Sequence, residues 1–119
     1  MHILQQCFRV HVESDKLEST IRFYEGLQGS VCERRVNIPE THIQAAKVGG
    51  FLILAGDKAH LEAVSYVDAV FYLDALDDFH PWLVAQSAEL LHGPRGVTGG
   101  RNMTVRHPDG LVVEYFQAG

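Results

Sequence analysis

The sequence has 119 residues, 46% of them apolar and 21% charged, with a formal net charge of -5. This is enough chain for one packed core and too apolar for a disordered segment. Acidic and basic residues are interleaved, with no basic run to neutralise successive phosphates and no apolar stretch near the roughly 20 residues that span a bilayer, so neither nucleic acid nor membrane is an expected partner.

Residues 1–12 alternate polar and apolar side chains and lack the continuous apolar segment of a secretory leader. They belong to the fold, and the expected compartment is the cytoplasm, where Cys7 and Cys32 remain free thiols. Within them, Phe8, Val10 and Val12 fall on one face and Cys7, Arg9 and His11 on the other, the period of a half-buried strand. Asp15 then offers a helix cap, Leu17, Ile21, Tyr24 and Leu27 follow at helical spacing, and Gly29 closes the helix. Strands are expected at 31–36, 42–48 and 51–55, punctuated by Pro39 and the Gly49-Gly50 pair. Residues 57–65 read as a connector.

The pattern then begins again. A strand is expected at 67–73, and a helix capped by Asp77 or Asp78 runs to about residue 90, with Pro81 in its first turn and Trp82 in the core or an interface. A short strand near Leu91 and a Gly/Pro-rich loop at 93–100 follow; that loop is no phosphate loop, since no Lys-Ser/Thr comes after it. Strands at 102–106 and 111–116, joined by the turn Pro108-Asp109-Gly110, finish the chain. The order β-α-β-β-β therefore occurs twice, and laying Gly50 on Gly110 brings Cys7 close to Asp68. Each half alone is too small for a good core, so the halves must pair.

Residues 23–27 (Phe-Tyr-Glu-Gly-Leu), residues 70–74 (Val-Phe-Tyr-Leu-Asp) and above all residues 106–115 (Arg-His-Pro-Asp-Gly-Leu-Val-Val-Glu-Tyr) resemble the modules of the vicinal oxygen chelate superfamily, which includes glyoxalases, bleomycin-resistance proteins and extradiol dioxygenases. The resemblance covers nearly the whole chain. It implies an α+β fold, with two βαβββ modules at about 5–56 and 66–117 forming a curved, cup-like eight-stranded sheet with helices outside, all in one domain. It also implies a homodimer.

In metal-dependent members the ligands stand on the first and last strands of each module, which here are Cys7, Leu54, Asp68 and Glu114. Leu54 cannot ligate, Cys7 stands where His is usual, and two carboxylates alone make a weak divalent site. Glu114 reads either as a ligand or as a carboxylate hydrogen-bonded within the cup or paired with Arg9 or Arg106. Asp68 is a ligand or a solvated strand end, and Cys7 a ligand or a small core residue. Pleat alternation gives the cup-facing set: Cys7, Arg9, His11, His42, Gln44, Leu52, Leu54, Asp68, Val70, Tyr72, Asn102, Thr104, Arg106, Val112, Glu114 and Phe116. Among these, Arg9, His11, His42, Gln44, Tyr72, Asn102, Thr104, Arg106 and Phe116 are the candidate ligand contacts, and His11 is either a general acid/base or a hydrogen-bonding residue. His2, His60, His80 and His92 share no ligand spacing and are assigned no role.

The favoured function is metal-free sequestration of a small organic molecule in the cup, with no cofactor. The alternative is a divalent-metal lyase, isomerase, dioxygenase or thiol transferase using Glu114 and Asp68, with His11 or His42 as substitute ligands. A third is an interaction module whose cup has lost its ligand.

Overall fold

In the computed structural model, which describes all 119 residues, the first strand is longer than its alternating core: β1 runs Ile3–Glu13. A short 3-10 turn follows at Ser14–Lys16, then α1 (Leu17–Gln28), β2 (Arg34–Ile38), β3 (Ile43–Val48) and β4 (Phe51–Gly56). The connector holds a short helix, α2 (Lys58–Glu62). The second half comprises β5 (Ala69–Leu73), α3 (Leu76–Ala85), β6 (Glu89–Val97), β7 (Gly100–Arg106) and β8 (Val112–Ala118). The fold is α+β, and the βαβββ order is present twice.

The chain divides into two compact units, Cys7–Tyr66 and a second made of Met1–Gln6 with Val67–Gly119. In the first unit the strand order is β2-β3-β4-β1, with β1 parallel to β4 and the other pairs antiparallel. In the second the order is β5-β8-β7-β6, with β5 parallel to β8. The N-terminal residues belong to the second unit because His2 N donates to Asp74 Oδ1 at 2.7 Å and His2 O accepts from Asp74 N at 3.2 Å.

Each long helix covers one face of its own unit's sheet. Leu17, Ile21 and Tyr24 of α1 pack on Val10, Val12, Ala46, Val48, Ile53 and Ala55. Leu76, Phe79 and Leu83 of α3 pack on Phe71, Leu73, Met103, Val105, Val113 and Tyr115. Burial of these side chains supplies about 25 cal/mol per Å² of apolar surface, the main term holding each unit together. Gly29 ends α1 in the left-handed conformation, φ 63°, which a side chain would strain.

Several expectations are corrected in the second unit. Neither Asp77 nor Asp78 caps α3: the helix starts after Ala75, and Gln117 Oε1 on β8 accepts from Leu76 N at 2.7 Å. The two aspartates instead lie in the first turn, where they complement the helix dipole. Pro81 is inside the helix rather than in its first turn, at an exposed position where solvent can serve the carbonyl that loses its donor. The helix ends at Ala85 instead of near residue 90, because Ser87 turns left-handed at φ 69°. Trp82 is 49% exposed and is not core. The expected loop at 93–100 is mostly strand: β6 passes through Gly93-Pro94 by register shifts and pairs with β7 along its length. Gly93 permits this, since a Cβ there would lie 2.6 Å from Asn102 O.

Candidate functional site

The second unit's sheet face opposite α3 carries its chemistry in two cross-strand rows. One row reads Val70, Glu114, Thr104, His92 across β5, β8, β7 and β6; the next reads Tyr72, Phe116, Asn102, Arg95. Asn102 Nδ2 donates to Glu114 Oε2 at 3.0 Å, and Arg95 Nε approaches Asn102 Oδ1 at 3.5 Å. The Asn102 amide therefore orients the carboxylate. Thr104 beside it is 5% exposed. Tyr72 and Phe116 meet edge to face with centroids 5.9 Å apart, an apolar wall next to the polar pair. At the end of the face Arg106 is occupied by Glu89, at 2.8 Å. Tyr72, Asn102, Thr104, Glu114 and Phe116 thus share one face as the pleat predicts, and His92 and Arg95 join them.

In the first unit, Arg9 pairs across to Leu52 and His11 to Leu54, on the face opposite α1. The third strand differs from expectation. Ala45 is opposite Leu54 and Lys47 opposite Leu52, whereas Gln44 is opposite Ala55 on the α1 side. Gln44 is therefore on the wrong face for the expected set, and His42 lies outside β3, in a turn with φ 56°, its ring 4.6 Å from that of His60. A one-residue displacement of the strand start exchanges its faces. The face itself is covered by the connector: Leu61 of α2 packs with Ile43, Ala45 and Leu54, and Arg9 Nη2 donates to Val64 O at 3.3 Å.

No protein-family model matches the sequence, and neither does any curated protein. Solved structures do match. The chain is 38% identical to an uncharacterised protein of Methanosarcina mazei, covering 100% of this chain and 95% of that one with a TM-score of 0.89. It also resembles methylmalonyl-CoA epimerase of Mycobacterium tuberculosis (17% identity, 98% and 89% covered, TM-score 0.70) and a Streptomyces coelicolor methylmalonyl-CoA epimerase variant (18%, 100% and 98%, 0.67). The chain therefore has the fold of these epimerases, the vicinal oxygen chelate fold that the motif at residues 106–115 implies.

The four positions at which the resemblance implies metal ligands can then be tested against this chain's own side chains. Leu54 is 4% exposed within an apolar cluster. Cys7 is buried, its Sγ donates to Gly49 O at 3.6 Å, and burial pushes its thiol above the usual range against the partial opposition of Lys47. Its surroundings suit a small buried side chain in the core. Asp68 continues the β5–β8 ladder: its N donates to Val112 O at 2.8 Å and its Oδ2 accepts from Val112 N at 2.9 Å. Glu114 is bound by Asn102. No group of three or more His, Cys, Asp or Glu side chains is arranged to hold a metal ion. The donor set does not fit a divalent ion, so no chemical step is routed through one.

Sequence reasoning missed the places of His92 and Arg95, because Gly93-Pro94 hides the strand they belong to. It missed the cover over Leu54 as well. The signal available for the latter was Asp57 followed by Leu61: Asp57 Oδ1 accepts from His60 N at 2.9 Å, a helix cap.

Proposed function

We propose that this protein of the vicinal oxygen chelate fold binds a small organic molecule without a divalent metal, on the second unit's face around Glu114. The carrying observation is the Asn102–Glu114 pair at 3.0 Å set between Thr104 and the Tyr72/Phe116 wall. An oriented carboxylate beside an aromatic pair suits a ligand with a hydrogen-bond-donating or cationic group attached to an apolar body. Solved epimerases of the same fold carry methylmalonyl-CoA or 2-nitronate-propionyl-CoA, which supports an organic ligand as the class to test. Benzylamine, with one ring and one ammonium, is a suitable probe. Its amide-shift map in two-dimensional NMR should centre on β7 and β8, and Glu114→Gln or Phe116→Ala should weaken it. Shifts confined to other surfaces, or unchanged in both variants, would overturn this reading.

We also infer a homodimer. Phe8, Phe23, Leu27 and Val31 are 68%, 63%, 64% and 76% exposed. Phe8 and Phe51 lie 5.7 Å apart, Tyr24 stacks on Phe51 at 4.1 Å and Phe23 meets Tyr24 at 5.1 Å, which makes these side chains an aromatic patch suited to a partner copy. Sedimentation at micromolar concentration should give twice the 13.3 kDa chain mass. The two free thiols suit a cytoplasmic location.

A further inference from the structure

On the second unit's face opposite α3, Arg95 and Glu114 carry opposite charges, yet they do not pair with each other. Three other arginines of this acidic chain each meet a carboxylate: Arg35 with Glu18, Arg101 with Asp77 and Arg106 with Glu89. Arg95 is exposed and meets an amide instead, its Nε 3.5 Å from Asn102 Oδ1. Asn102 is directly opposite Arg95 across β6 and β7, and diagonal to Glu114 on β8. Its oxygen faces the guanidinium, and its Nδ2 donates to Glu114 Oε2 at 3.0 Å. Turned over, the amide would set its NH2 against a cation and its oxygen against a carboxylate, so only this orientation serves both neighbours. One amide thus holds an acid and a base apart. Since the oxygen and nitrogen of an amide are about 2.3 Å from each other, Arg95 Nε and Glu114 Oε2 are separated by at most about 9 Å.

Both ends have capacity for a ligand. A carboxylate has about four acceptor sites, so Glu114 can accept from a ligand as well as from its neighbours. The guanidinium fork of Arg95 has two further nitrogens beyond Nε, suited to paired bonds with a carboxylate. Tyr72 and Phe116 stand in the same cross-strand row as Asn102 and Arg95, so an apolar wall runs beside the charged pair. An α-amino acid places its nitrogen and carboxylate oxygens about 3 Å apart, and with a charge-assisted hydrogen bond at each end it spans about 8–9 Å. That length matches the gap Asn102 keeps open.

We propose that the ligand of this face is a zwitterion of the α-amino-acid type. Its ammonium donates to Glu114, its carboxylate accepts from the Arg95 guanidinium, and its apolar side chain rests on Tyr72 and Phe116. This deepens the small-molecule reading of the face, on which it rests, by adding the second charge.

The probes are L-phenylalanine, its amide, which keeps the ammonium and loses the carboxylate, and 3-phenylpropionate, which keeps the carboxylate and loses the ammonium. Each is titrated at fixed ionic strength and followed by amide shifts at Arg95, Asn102 and Glu114. Phenylalanine should bind about tenfold more tightly than either relative, the worth of one charge-assisted contact. Arg95→Gln should weaken phenylalanine about tenfold and leave its amide no weaker, and Arg95→Lys, which keeps the charge without the fork, should fall between. Arg101→Gln, which removes a cation paired with α3, should change neither. Equal binding of phenylalanine and its amide, equal binding of phenylalanine and 3-phenylpropionate, or phenylalanine binding unchanged in Arg95→Gln overturns the proposal. If benzylamine still maps to β7 and β8 in those cases, the small-molecule reading stands without the zwitterion; if no ammonium probe shifts them, both readings fall.

Discussion

Replacing Leu61 by alanine tests whether α2 seals the first unit's sheet face. Leu61 is 8% exposed and touches Ile43, Ala45 and Leu54, the last itself 4% exposed. Buried leucine-to-alanine changes cost about 2–5 kcal/mol, from lost transfer energy plus the cavity left behind. Because α2 spans only Lys58–Glu62 and can settle into the gap, Leu61→Ala belongs near the low end, about 2 kcal/mol, and Leu54→Ala in the strand interior near 3 kcal/mol. The two side chains share one contact, so their effects should not add: the double variant should fall short of the sum by roughly 0.5–3 kcal/mol. Urea denaturation of the four proteins, followed by circular dichroism, gives the coupling directly. Hydrogen exchange should quicken at residues 58–64 in Leu61→Ala. A change below about 0.5 kcal/mol for Leu61→Ala, the size expected of an exposed position, together with strict additivity would refute the sealed face.

Tyr115 OH lies 2.6 Å from His107 Nε2, and burial alone pushes the phenol up to about 12 from 10.0. A raised acid contributes stability that is complete below pH 10 and is lost between there and pH 12, roughly 2–3 kcal/mol by linkage; Tyr115→Phe should lose this alkaline slope in urea titrations. Gln117→Ala removes the acceptor of Leu76 N and should cost about 1 kcal/mol, with faster exchange at the start of α3. Cys7, 3% exposed with its thiol raised by burial, should resist a thiol reagent in the native state while Cys32 reacts; equal labelling of both would contradict the packing.

Local pattern determined much of this protein. The alternation in β1, β7 and β8 sorts side chains between two faces without knowledge of a partner strand, and Gly29 marks the end of α1 by its backbone freedom alone. The doubled βαβββ order is legible for the same reason, as is the shared face of Tyr72, Asn102, Thr104, Glu114 and Phe116. Tertiary structure decided what depends on pairing. The face of β3 is set by Ala45 meeting Leu54, and a slip of one residue had placed Gln44 where Ala45 and Lys47 belong. Gly93-Pro94 looks like a loop locally, but β7 supplies the ladder that keeps β6 extended through it. Gln117 caps α3 from 41 residues away. Each is a contact between distant segments, and local propensity carries no term for what another strand will bring to the same place.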